Sequence, residues 1–111
     1  PILFLDAEAA FIKIEIFNDS GRSIPSYEFS QGDTVYYRVT VYDFKGNLTS
    51  RSIDVQVYRP DQSASPYNSS GTGASLEEDF TITEPDDEGY WLLSAMDEEL
   101  KIIGTRLFKK V

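Results

Sequence analysis

The chain contains no cysteine and no histidine. Without cysteine there can be no disulfide, no thiol nucleophile and no thiolate zinc site. Without histidine it lacks the side chain most used for proton transfer and metal ligation near neutral pH. Positive charge is scarce as well: 10 Lys and Arg stand against 19 Asp and Glu, for a net charge of −9. Nucleic acid is therefore excluded as a partner, because binding it means neutralising phosphates with Lys and Arg. An anionic membrane surface is disfavoured for the same reason. No apolar run approaches the roughly 20 residues of a membrane-spanning helix, so no membrane insertion by this domain is expected. No segment carries an apolar stripe with the 3.6-residue period of an amphipathic helix.

What is present is alternation. The 111 residues are 41% hydrophobic, enough for one core and one domain. From Phe11 to Phe17, Ile12, Ile14 and Ile16 face one way and Lys13 and Glu15 the other, the period of a half-buried strand. Thr34 to Tyr42 is the strongest strand: Val35, Tyr37, Val39 and Val41 form one face and Tyr36, Arg38, Thr40 and Tyr42 the other. Ile53, Val55 and Val57 define the next inner face. Leu76 to Ile82 alternates again, Tyr90 to Met96 points Trp91, Leu93 and Ala95 inward, and Leu100 to Phe108 closes the domain, its phase ambiguous around Gly104, a residue type that can mark a bulge. Turn chemistry separates these runs at Asn18-Asp19-Ser20-Gly21, Gln31-Gly32-Asp33, Asp43 to Asn47, Glu84 to Gly89 and Asp97-Glu98-Glu99. Ser23 to Ser30 reads as extended but irregular, with Pro25 limiting pairing. Arg59 to Ala74, rich in Ser, Pro, Gly and Asn, reads as the most mobile loop. Six or seven short strands with no helix imply an all-β sandwich. Residues 11–111 form the domain, and residues 1–10 are a linker or an edge strand. The start on Pro1 reads as a segment cut from a longer protein.

Four stretches carry a resemblance. Tyr27 to Val39, with Gly32-Asp33-Thr34-Val35 at its centre, resembles the segment that opens a core strand in macroglobulin-type domains. Val55-Gln56-Val57-Tyr58-Arg59-Pro60-Asp61 is similar to that family's strand exit, Gly73 to Phe80 to its next strand, and Gly89-Tyr90-Trp91-Leu92-Leu93-Ser94-Ala95 to its Trp-bearing strand. Gln31 stands where the family usually has Pro, Gln62 follows Asp61 where it has Gly, and no thioester motif is present. The resemblance implies an immunoglobulin-like (fibronectin III or macroglobulin-type) antiparallel β-sandwich of about seven strands. It also implies tandem repetition on the outside of bacterial or archaeal cells, without transferring a binding site.

No residue is assigned a catalytic role. Asp86, Asp87 and Glu88 adjoin one another on one turn and cannot flank a cleft as an acid–base pair would. They are the candidate metal ligands, since a hard cation takes carboxylate and carbonyl oxygens. The alternative is a solubilising negative rim. Tyr36, Tyr42 and Tyr58 are the candidate ligand-binding residues, a stripe off the core that could stack sugars or grip a protein. The alternative is cross-strand packing or contact with a neighbouring domain. Three Asn-x-Ser/Thr sequons, at Asn18, Asn47 and Asn68, are candidate glycosylation sites placed on turns. The sequence thus reads as a non-enzymatic structural or adhesion module of a secreted or cell-surface protein, extracellular, monomeric and without cofactor. Its partners are neighbouring domains of the same chain, and a glycan or surface protein if one binds. A carbohydrate- or protein-binding module using the Tyr face or the 60–75 loop is the alternative.

Overall fold

A computed structural model describes residues 9–111, so the segment read as linker or edge strand lies outside the described residues except for Ala9 and Ala10. Eight strands follow in order: β1 Phe11–Phe17, β2 Glu28–Phe29, β3 Thr34–Tyr42, β4 Arg51–Tyr58, β5 Ala64–Gly73, β6 Ser75–Thr81, β7 Gly89–Asp97 and β8 Ile103–Lys110. No helix occurs among the described residues. A three-stranded sheet in the order β1-β3-β6 faces a five-stranded sheet in the order β2-β8-β7-β4-β5. All pairings are antiparallel except the two-residue join of β2 to β8, which is parallel.

The alternating residues form the core as their period requires. Ile12, Ile14 and Ile16 of β1, Val35, Tyr37, Val39 and Val41 of β3, and Ile53, Val55 and Val57 of β4 are all buried. They meet Trp91, Leu93 and Ala95 of β7 and Phe108 of β8 in one cluster. A chain of rings runs through it. Tyr67 stacks on Phe80 at 4.8 Å, and Trp91 lies 6.1 Å from Tyr67 and 6.2 Å from Phe108. Such ring contacts add to the area they bury.

Three readings of the sequence are revised. The segment from Arg59 to Ala74 is not a mobile loop: most of it is β5, an edge strand of ten residues. Tyr67, its one large apolar residue, is buried, and its hydroxyl accepts the Thr83 and Glu84 amides at 2.8 and 3.3 Å. The bulge lies at this edge, where the β4–β5 register shifts between Gln56 and Tyr58. Side chains bridge the gap there. Ser65 Oγ donates to the Val57 carbonyl at 2.6 Å, and Gln56 Nε2 donates to the carbonyls of Val57 and Ser65 at 2.9 Å each. Conversely, Gly104 is not bulged, since β7 and β8 stay in register past it. The closing strand begins at Ile103, because Asp97-Glu98-Glu99-Leu100 folds into the preceding turn. The irregular stretch from Ser23 to Ser30 holds the short β2, and the carbonyls of Tyr27, just before it, and of Phe29 accept from the Lys109 and Val111 amides.

Candidate functional site

The two sheets present outer faces of different chemistry. On the three-stranded sheet, Arg38 sits opposite Glu15 on one neighbour and Glu77 on the other. It contacts them at 3.5 and 3.1 Å while its guanidinium lies 5.3 Å over the Phe17 ring. Arg22, from the β1–β2 connection, has a left-handed backbone with φ 54°. It lies 5.6 Å over Tyr36 and donates to the carbonyls of Tyr37 at 3.2 Å and Glu78 at 3.0 Å. This face is a solvated ion-pair lattice, worth little per pair.

The five-stranded sheet differs. Its alternation puts Tyr58 of β4, Tyr90, Leu92 and Met96 of β7, and Ile103 and Leu107 of β8 on the outer surface. Tyr90 is 62% exposed, Ile103 55% and Leu107 52%. Cross-strand register aligns Tyr58, Leu92 and Leu107 in one row and Met96 with Ile103 in another. Residues paired in this way lie close enough to act as one surface. Polar neighbours Asp54, Gln56, Ser94, Thr105 and Lys109 share the face. Single exposed apolar residues are ordinary; here the row Tyr58, Leu92 and Leu107 crosses three strands, and the polar row Gln56, Ser94 and Thr105 separates it from Met96 and Ile103.

The three candidate tyrosines therefore do not form one stripe. Tyr36 and Tyr42 lie on the outer face of the three-stranded sheet and Tyr58 on that of the other. Tyr36 is covered by Arg22, and Tyr42 packs its ring 6.0 Å from the exposed Phe11. Only Tyr58 belongs to the apolar surface. The period of β7 identifies its inner face and leaves the outer members of that surface unassigned. The signal was present: Gly89 to Met96 is apolar at both parities, unlike the strictly alternating β1.

Asp86 and Asp87 are held by basic and aromatic partners, and Glu88 beside them is exposed. Lys110, buried, donates Nζ to the carbonyls of Asp86 at 2.7 Å and Pro85 at 3.2 Å. Trp91 Nε1 donates to the Asp87 carbonyl at 2.8 Å. Arg59 grips Glu84 through two hydrogen bonds of 2.9 and 2.8 Å, with the Asp87 carboxylate 3.8 Å away. Two of the carbonyls that a cation would want are thus bound to Lys110 and Trp91. Among the described residues no three Asp or Glu side chains gather as a metal set.

Asp97 ends β7 and caps the next turn. Its carboxylate accepts from Arg51 Nε at 2.7 Å and from the amides of Glu99 and Leu100 at 2.9 and 3.0 Å. Burial alone would raise its pKa, but these hydrogen bonds and the Arg51 charge outweigh it and hold the carboxyl below its ordinary value. Asp19 is lowered too, by the Ser23 hydroxyl and then the Ile24 amide. These contacts fold the loop that presents Asn18. Asn18, Asn47 and Asn68 are all exposed. Asn68 lies within β5 rather than on a turn, opposite Gln56. Among the described residues no helix is long and apolar enough to cross a membrane.

No protein-family model matches the chain, and no curated protein is a significant match. Solved structures do resemble it. An immunoglobulin-like protein from Pseudomonas aeruginosa superposes with a TM-score of 0.53 at 14% identity, covering 92% of this chain and 93% of its own. The CARDB domain of a Pyrococcus furiosus protein, solved in complex with di-metal ions, gives 0.51 at 20% identity, covering 94% and 96%. The similarity extends over nearly the whole of each chain, and the fold is an immunoglobulin-like β-sandwich.

Proposed function

We propose that this domain is a non-enzymatic structural or adhesion module of a larger secreted or cell-surface protein, and that it docks against a neighbouring domain through the outer face of its five-stranded sheet. The observation that carries this is the apolar row of half-buried Tyr58 and Leu92 with exposed Leu107, flanked by exposed Tyr90, on a domain whose other outer face is centred on the Arg38 ion pairs. Contact between domains of one chain uses surfaces of this mixed apolar and polar kind. The absence of His and Cys, and the engagement of the acidic turn by Arg59, Lys110 and Trp91, support a non-catalytic role. The macroglobulin-type reading gains support from the Gly32-Asp33 turn. Gly32 takes a φ of 93°, and the Asp33 carboxylate accepts the Ser30 amide at 2.8 Å just before β3. The exposed sequons on the turns at Asn18 and Asn47 suit an extracellular placement.

Hydroxyl-radical footprinting tests the docking. Tyr90, Leu107 and Ile103 should be labelled in the isolated domain and protected in the parent protein. Equal labelling in both would remove the basis of the proposal. A second reading, a carbohydrate- or protein-binding module, is favoured by one observation. The exposed Phe11 ring packs against half-buried Tyr42, which bridges to Leu48, itself 58% exposed. Aromatic pairs of this kind stack on sugars or anchor protein contacts. A glycan titration that shifts the NMR signals of Phe11 and Tyr42, and not those of Tyr90, would favour that reading over the first.

A further inference from the structure

Strand β5 is the outermost strand of the five-stranded sheet and runs for ten residues. Among the described strands it alone carries no charged side chain. Edge strands usually carry charges that prevent pairing with another chain, and β6, at the edge of the other sheet, does so with Glu77, Glu78 and Asp79.

The direction of its backbone groups follows from β4. There the Ser52 carbonyl accepts from Glu98 on the β7 side, and the Val57 carbonyl accepts from Ser65 on the β5 side. Successive residues of a strand point their N–H and C=O to opposite sides, so the odd-numbered residues of β4 bond to β5. Their partners are Ser69, Gly71 and Gly73. It follows that Asn68, Ser70 and Thr72 turn their N–H and C=O groups outward, to an edge that no described strand pairs with. Pro66 has the same outward parity, so its missing N–H costs the sheet nothing.

We infer that this edge is the seam of a two-fold homodimer, in which β5 pairs antiparallel with β5 of a second copy. With Ser70 opposite its own counterpart, Asn68 falls opposite Thr72 in both directions. All three outward-facing residues are then matched, and Pro66 and the turn at Ala74 bound the seam. The side chains brought together are Asn, Ser, Thr and Gly, which neither clash nor repel. Two chains of net charge −9 can approach here without placing like charges opposite one another. Self-pairing at β6 would set its three acids against their copies. The β1 edge is covered, with Gly104 against Ile12 and the Ser26 amide bonded to the Ile16 carbonyl. A single-strand seam is small by the standard of stable interfaces, which bury roughly 1,200–2,000 Å². Association is therefore expected at high micromolar concentration, in place of the monomer expected from the sequence.

The lack of cysteine makes the test clean. Ser70→Cys introduces a lone thiol whose counterpart would sit at about 5.5 Å between Cα atoms, within disulfide range. It should form disulfide-linked dimers at least ~10-fold faster than Ser20→Cys on the exposed β1–β2 connection. In sedimentation the wild type should rise from 12.6 kDa toward twice that mass with concentration. Ser70→Lys, which sets two cations together, and Ser70→Pro, which removes an outward N–H, should both remain monomeric. A wild type that stays monomeric into the millimolar range would overturn the inference. So would Ser70→Cys crosslinking no faster than the control, or Ser70→Lys dimerising like the wild type.

Discussion

Gly104 of β8 lies with its Cα against the main chain of Ile12 on the opposite sheet, so closely that a Cβ at position 104 would stand 2.4 Å from the Ile12 carbonyl oxygen. Backbone cannot yield as a flexible side chain can. The contact closes the sandwich along the β1–β8 side, where the two sheets meet without a shared ladder. Gly104→Ala should therefore cost on the order of 1–3 kcal/mol, the usual range for overpacking. Urea denaturation measures it. A midpoint equal to wild type would mean that the sheets can part without loss.

Trp91 joins the ring cluster to the acidic turn, with its ring in the core and its Nε1 on the Asp87 carbonyl. Trp91→Ala should cost about 3–5 kcal/mol, as for other large core aromatics. The single Trp also gives a direct probe. Its emission should be that of a buried indole and should shift red only on unfolding. Emission typical of hydrated indole in the native protein would contradict the packing.

Tyr67 decides whether β5 is a strand or a loop. Its ring fills the core edge against Phe80, and its hydroxyl accepts the Thr83 amide at 2.8 Å. Tyr67→Phe keeps the ring and removes that acceptor, which should cost about 1–3 kcal/mol for the amide left unpaired. Hydrogen exchange should quicken at Thr83 and Glu84 while β5 stays protected. Tyr67→Ala should in addition deprotect residues 64–73. Protection of β5 unchanged in Tyr67→Ala would show that the β4 ladder alone holds it.

The strands of strict alternation were legible from sequence because a register slip would turn every apolar side chain of β1 or β3 to water. The same period placed Trp91, Leu93, Val39 and Val55 in the core. β5 was not legible. Its inner positions are Ser65, Tyr67, Ser69, Gly71 and Gly73, and only one of these has an apolar mass to reveal a period. Its order comes from the ladder with β4 and from side chains that bridge the bulge, both of which are contacts at a distance. Gly104 misled for a related reason. A glycine in a strand signals either a bulge or a close approach, and only the position of Ile12 distinguishes them. The apolar outer face lay in plain view at Tyr90, Leu92 and Met96, but alternation assigns such residues only a side, not a neighbour across the sheet. The candidate site tyrosines failed as a set because β3 and β4 are consecutive in sequence yet belong to different sheets. No local pattern encodes that crossover.

Asp97 supplies the pH dependence. Its carboxylate is 1% exposed and ties Arg51 of β4 to the amides of the β7–β8 turn. Its folded pKa lies below the ordinary 3.8. A carboxyl lowered on folding stabilises the native state at pH above its unfolded pKa, and that contribution is lost as pH falls through the folded value. Stability should therefore hold from neutrality down to about pH 4 and then decline as Asp97 takes up a proton. Asp97→Asn removes the charge and an acceptor at neutral pH, and should cost about 1.5–3 kcal/mol, the range for hydrogen bonds to a charged group. The same substitution removes the titrating group. The gap between wild type and Asp97→Asn in urea midpoint should then be widest at neutral pH and narrow as the pH falls below 4. A gap that stays constant across that window would show that the loss comes from altered packing in the turn and not from the carboxylate.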